Sequence, residues 1–194
     1  MTPSKINFKL YQGSTFSEVL RWESSRKVYK TITGISNAAP CIITSTAHGL
    51  PNGWRVKVTN VLGMTEINNT EDYYLGTAVD ANTIELNAVN SVGYKTYTSG
   101  GILEYNQPVN LTGYTARMQI RLKVEDADFI HELTTENGGI TINTTDSTLT
   151  LTISAVDTAA FTFSTAVYSL ELVTGSVVTP FVNGTITMYK EVTR

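Results

Sequence analysis

An interruption in the alternation of apolar and polar residues limits what this chain can fold into more than any other feature. A strand pattern begins at Ile6-Asn7-Phe8-Lys9-Leu10, stops near Thr33 and resumes at Leu111. The segment between has turns and an alternation of its own. Because a side-chain period of two marks a half-buried strand, the pattern predicts one β-domain made of residues 1–32 and 105–194, cut in two by a second, residues 33–104. Each part is long enough to bury a core of its own.

Composition points the same way. Thr supplies 31 residues while the charged share is 16%, against about 25% in an average soluble domain. Thr is stiff at χ1 and fits a pleated surface, so a Thr-rich chain with interleaved Ile, Val and Leu reads as sheet with little helix. A net charge of −3 and basic clusters limited to Arg26-Lys27 with Lys30, and Arg117, Arg121 and Lys123, argue against a nucleic-acid partner, because phosphate binding relies on grouped cations. These basic residues are expected on solvated strand faces. No apolar run reaches the length of a membrane span, and Met1-Thr2-Pro3-Ser4-Lys5 lacks the apolar core of a secretion signal. The expectation is a soluble protein made in the cytoplasm, with no membrane partner.

Along the first part, Ile6 to Leu10 and Phe16 to Trp22 are expected to form a hairpin around Gln12-Gly13, followed by a short strand over Val28 to Ile32. Inside the second part, strands are expected near Cys41 to Thr46, Trp54 to Thr59, Tyr73 to Val79, Thr83 to Asn87 and Gly101 to Tyr105, with turn residues in each gap. Five short strands so spaced favour a small barrel, since closure removes exposed edges. Leu111 opens what reads as the longest strand, with Tyr114, Ala116, Met118 and Ile120 on one face and Thr115, Arg117, Gln119 and Arg121 on the other. Further strands follow near Phe129 to Leu133, Gly139 to Asn143, Ser147 to Ile153, Tyr168 to Thr174 and Val177 to Tyr189, the last with a break expected at Pro180. One short helix is predicted after Ser154, an N-cap with Asp157 three residues on and an apolar stripe of Ala155, Val156, Ala159, Ala160 and Phe161.

Chemistry-bearing motifs are sparse. The single cysteine, Cys41, allows no internal disulfide and no cysteine-cluster metal site, and it reads as a half-buried strand thiol. His48 and His131 lack metal-ligand spacing, and His48 reads as a turn-stabilising residue. Glu125-Asp126-Ala127-Asp128 groups three carboxylates but lacks the glycine and distal glutamate of a calcium loop, so a solvated loop tip is expected. No Gly-x-Ser-x-Gly and no phosphate-cradling glycine loop occurs. Neither catalysis nor a cofactor or metal is expected. Ten tyrosines among few charges suggest contact surfaces, since an aromatic ring supplies area and a polar tip.

Two resemblances add a class of function. Ile32-Thr33-Gly34-Ile35, Pro40-Cys41-Ile42-Ile43-Thr44, Ala47-His48-Gly49-Leu50, Gly53-Trp54-Arg55-Val56, Val61-Leu62-Gly63-Met64, Ile67-Asn68 and Thr83-Ile84-Glu85-Leu86 resemble a β-barrel module named after the first catalytic-cysteine half-domain of ubiquitin-activating enzymes. In bacteriophage virion proteins this module is a structural insertion without ubiquitin chemistry, so the resemblance gives Cys41 no catalytic role. Gln12-Gly13-Ser14-Thr15-Phe16, the run Leu111 to Arg121, Tyr168-Ser169-Leu170-Glu171-Leu172, Gly184-Thr185-Ile186 and the ending Glu191 to Arg194 resemble the N-terminal immunoglobulin-like sandwich of phage baseplate and fibre-anchoring proteins.

The resemblances imply an all-β fold, an immunoglobulin-like sandwich interrupted by a small barrel, with one connector helix. They also imply a non-enzymatic virion structural protein of tail, baseplate, neck or fibre attachment. It would dock through the sandwich, project the barrel, and act in multiple copies with other phage structural proteins. The rival functions are capsid decoration and a carbohydrate-binding module at the host surface. Candidate interface residues are Tyr11, Ile186 and Tyr189 on sandwich strands expected at sheet edges, and Tyr94 and Tyr97, together with Tyr105, flanking the Ser91 to Gly101 segment, with an ordinary place in a sheet as the alternative for all three.

Overall fold

The computed structural model describes residues 2–69 and 73–191. The chain divides into two compact units, one comprising Met1–Arg21, Asn110–Thr144 and Thr148–Arg194, the other Trp22–Val109 with Thr145–Ser147. Both are built from strands, and the described residues contain one α-helix, Ala155–Ala160.

The first unit is a two-sheet sandwich of immunoglobulin-like order. One sheet runs from Ser4–Lys5 and Phe8–Tyr11, both parallel to Val177–Tyr189, through Thr165–Thr174 and Thr115–Arg121 to His131–Thr134. The other holds Ile140–Asn143, Thr148–Ile153 and Phe16–Arg21, all antiparallel. The alternation predicted for Ala116, Met118 and Ile120 holds: all three are buried, opposite Leu172, Leu170 and Tyr168. The sheets meet face to face, with the Phe8 ring 5.3 Å from Phe16 of the other sheet and stacked 4.9 Å from Tyr168. Gly184 is needed where the chain start crosses the last strand. A Cβ there would lie 1.8 Å from the Ile6 carbonyl oxygen.

Several local expectations are corrected. Phe8–Tyr11 and Phe16–Arg21 do not form a hairpin, because their buried faces are claimed by different sheets. The longest strand is Val177–Tyr189, not the one after Leu111, which spans Thr115–Arg121. Pro180 does not break it; the missing N–H is absorbed by a register shift in which Leu170 opposes Val182 and Glu171 opposes Pro180. The helix cap is as expected, with the Asp157 amide donating to Ser154 Oγ at 3.1 Å. Of its expected apolar stripe only Phe161, just past the helix end, is buried: Val156, Ala159 and Ala160 are exposed, and the helix itself faces inward through Thr158, whose hydroxyl donates to the Ser14 carbonyl.

The second unit is a seven-stranded sheet in the order Glu23–Thr31, Ser99–Pro108, Trp54–Leu62, Tyr74–Ala78, Thr83–Leu86, Cys41–Thr44 and Gly34–Ile35. Its two ends are one continuous stretch of chain. The Ile32 amide donates to Gly101 O at 3.0 Å and the next amide, Thr33, donates to Thr44 O at 2.9 Å, so the sheet is rolled up on itself. Trp54, Val56, Ile43, Ile84, Leu103 and Tyr105 fill the interior. The unit therefore starts at Trp22 and ends at Val109, not at 33 and 104. Glu23–Thr31 and Ser99–Pro108 pair along most of their length, which commits both whole strands to this unit.

Candidate functional site

Among the described residues, Tyr11 and Tyr189 form an aromatic pair on the sandwich surface that coincides with an expected contact site. They are directly opposed in the parallel ladder, their rings stack at 5.2 Å, and they are 58% and 42% exposed. Ile186 is not with them at the surface. Its side chain is 0% exposed, because even-numbered residues of that strand point into the core there. Its strand is not an edge either, being paired on both sides; the edge at this end of the sheet is Phe8–Tyr11.

Tyr94 and Tyr97 hold the barrel together and offer little open surface. Both pack half-buried against its core. The Tyr97 hydroxyl donates to Ile32 O at 3.1 Å and Gly100 O at 2.9 Å, at the seam where the sheet closes. Tyr105 is buried and donates to the His48 carbonyl. Burial disfavours its phenolate and raises its pKa.

His48 has the turn-stabilising role expected of it. Its Nδ1 accepts from the Leu50 amide at 3.0 Å, which leaves Nε2 as the N–H that donates to Asp80 O at 2.8 Å. With Tyr105 on its carbonyl, a buried imidazole ties three segments of the barrel. Cys41 is fully rather than half buried, and burial pushes its thiol pKa up, the opposite of what a nucleophile requires.

The acidic tip Glu125 to Asp128 is an ordered turn. The Arg121 guanidinium donates to the carbonyls of Asp126 and Ala127 and, at 2.7 Å, to Gln119 Oε1. The Lys123 amide donates to Asp126 Oδ2 at 2.9 Å. Arg117 is paired with Glu171 at 2.8 Å, so that end of the basic cluster is a solvated, charge-balanced strand face as expected.

A cluster that sequence reading missed lies on the outer face of the barrel. Tyr29 and Lys57 both oppose Glu104 in register. Three cations surround the Tyr73 ring: Lys57 Nζ at 4.8 Å, Arg55 Cζ at 5.5 Å and Lys27 Nζ at 5.7 Å from its centroid. Glu23 holds Arg55 at 2.8 Å and Glu104 holds Lys27 at 3.1 Å; each carboxylate raises its partner's pKa. Tyr29 is exposed and Tyr73 partly so. Alternation showed that these residues face outward, but which strands were neighbours was needed to bring them together.

Among the described residues no three His, Cys, Asp or Glu side chains converge as metal ligands. What the surface offers is contact chemistry: a stacked tyrosine pair, an ordered loop with apolar side chains, and an aromatic face crossed by charges. No protein-family model matches the sequence, and no curated protein matches it.

Proposed function

We propose that this chain is a structural component of a bacteriophage particle, acting by binding and assembly, with its sandwich unit holding the particle and its barrel unit carried as an insertion. The observation that carries the reading is where the motifs resembling the phage barrel module fall. They occupy the positions that fix the barrel. His48 ties its turns. Asn68 clasps Val61, accepting from its amide at 2.9 Å and donating to its carbonyl at 3.0 Å. Gly63, at φ +82°, leaves room that a Cβ would close, 2.3 Å from Thr96 O. A resemblance at fold-determining positions supports common architecture, and the architecture supports the virion reading. Repetition on a symmetric particle would turn modest contacts into firm attachment.

The test is to purify particles and quantify the chain by mass spectrometry, then locate it by electron cryomicroscopy. Fixed stoichiometry with the other structural proteins is expected. Recovery only in the soluble host fraction would refute the proposal.

The outer face of the barrel favours a second reading, contact with carbohydrate. Tyr29 and Tyr73 flank Glu104 and Lys57 on this face, two aromatic rings with charges between them, a surface on which sugar rings can stack while their hydroxyls meet charges. Retention of the protein on immobilised host-cell polysaccharide, lost on Tyr29→Ala, would support it. Equal retention of both proteins would exclude it.

A further inference from the structure

We infer that the loop joining Thr115–Arg121 to His131–Thr134 is the docking anchor of the sandwich unit, inserting Leu122 and Phe129 into an apolar pocket with a basic rim on another protein. The inference rests on the particle-component reading and names the surface and partner chemistry that it requires. Three of the large apolar side chains left in solvent fall within eight residues of this loop: Leu122 is 55% exposed, Val124 77% and Phe129 49%. Leu122 and Phe129 line one depression together with Ile130. Exposed apolar side chains grouped in this way mark contact sites on soluble proteins.

Presentation of the loop is rigid. Arg121 gathers the Asp126 and Ala127 carbonyls, the Lys123 amide is held by Asp126 Oδ2 at 2.9 Å, and the Ile130 amide closes the base on Ile120 O at 2.7 Å. A preorganised loop loses little freedom on binding, so its apolar side chains can act as anchors. The edge strand Phe8–Tyr11 is a poorer anchor. It is four residues long and exposes Lys9 along the edge, a feature that discourages strand addition.

Charge selects the occupant. Asp126 and Asp128 line the same depression as Leu122 and Phe129, and Glu125 lies in the same turn, so three carboxylates stand against two cations, Lys123 and the Arg121 guanidinium that is turned onto backbone carbonyls. A second copy meeting the loop about a two-fold axis would set these carboxylates against their equals. A partner with Lys or Arg around an apolar pocket would be attracted, with faster association at low salt.

The test compares the wild-type chain with Leu122→Ser/Phe129→Ser and with Glu125→Lys/Asp128→Lys, each supplied during infection and counted in purified particles. Because the altered side chains are exposed, melting temperatures should stay within a few degrees of wild type. Incorporation should fall at least tenfold for the Ser pair and several-fold for the Lys pair. As a measurement independent of those variants, p-benzoylphenylalanine in place of Phe129 should cross-link to a different particle protein on irradiation. Normal incorporation of the folded Ser pair, or no cross-link within particles that contain the chain, overturns the anchor while leaving the particle reading intact. A cross-link to a second copy, or a wild-type dimer that the Ser pair dissociates, overturns the foreign partner. Absence of the wild-type chain from particles overturns both readings.

Discussion

Excising the barrel at its structural boundary should leave the sandwich folded, and unfolding the barrel in place should harm the sandwich more than removing it. The Val109 amide donates to Trp22 O at 3.1 Å, so the two chain ends leaving the barrel are adjacent. A folded barrel therefore acts on the sandwich as a short closed loop, and replacing residues 23–108 with a four-residue Gly-Ser linker should change the sandwich's stability by no more than about 1 kcal/mol. Trp54→Ala sets up the contrast. Trp54 is fully buried and its Nε1 donates to Asn106 O at 2.7 Å, so truncation costs about 3–5 kcal/mol plus a stranded carbonyl. That is enough to melt a small barrel.

The sandwich must then close a loop roughly twentyfold longer than the linker. At (3/2)RT ln n this costs about 3 kcal/mol, or on the order of 15 °C in melting temperature for a unit of this size. Scanning calorimetry of the three proteins, with far-UV circular dichroism to identify the strand transition, measures both effects. Loss of cooperative melting in the excised protein would refute the boundary. Equal sandwich transitions in the excised protein and in Trp54→Ala, with the barrel demonstrably unfolded, would refute the loop argument. Cutting instead at 33 and 104 should give an aggregating protein, because it strands Val28, Ile32 and Tyr105 without their partners.

Tyr105→Phe removes the hydroxyl that satisfies the buried His48 carbonyl and should lower barrel stability by about 1–3 kcal/mol, readable as a shift in the urea midpoint. Tyr168 is buried with its hydroxyl donating to Ile6 O at 2.8 Å, and burial raises its pKa far above the ordinary tyrosine value. The folded state then holds a proton that the unfolded chain releases, so this contribution is complete below about pH 10 and is lost as pH rises beyond it, at about 1.4 kcal/mol per unit. Tyr168→Phe should flatten that alkaline slope in denaturant titrations between pH 9 and 11, at the cost of one hydrogen bond; an unchanged slope counts against the assignment. Gly184→Ala forces a Cβ against Ile6 O and should detach Ser4–Lys5 from the sheet, seen as new hydrogen exchange at the Ile6 amide, which otherwise donates to Asn183 O at 2.9 Å.

What could be read from the sequence was what depends on local periodicity and capping. The inward set Ala116, Met118 and Ile120, the Ser154 cap, and the bond from the Leu50 amide to His48 Nδ1 all follow from residues close in sequence, whereas the bonds of His48 to Asp80 and Tyr105 do not. Partnership between strands did not. Nothing local says that Phe8–Tyr11 lies parallel to a strand near the other end of the chain rather than folding back on Phe16–Arg21, because both pairings bury the same alternate residues. The unit boundary failed for the same reason. Glu23–Thr31 alternates weakly, its burial pattern being intermediate or exposed throughout, and its membership is fixed only by its ladder with Ser99–Pro108.

The candidate surfaces divide along that line. Tyrosines chosen for their neighbours in sequence, Tyr94 and Tyr97, had their rings packed against the barrel core, and the Tyr97 hydroxyl was taken up at the seam, since a ring beside a seam gains more from packing than from solvent. Tyr29 and Tyr73, far apart in sequence, were set on either side of Glu104 and Lys57 by a strand order that no single stretch encodes. The loop 122–130 lies between the two cases. Its carboxylates were visible, but their significance as the rim of an apolar group depends on Leu122 and Phe129 being held outward, and that follows from Arg121 drawing the Asp126 and Ala127 carbonyls toward the sheet. In a chain with few charges, one arginine spent on backbone carbonyls turns an acidic turn into a rigid presenter of hydrophobic side chains, which is the property a docking anchor needs.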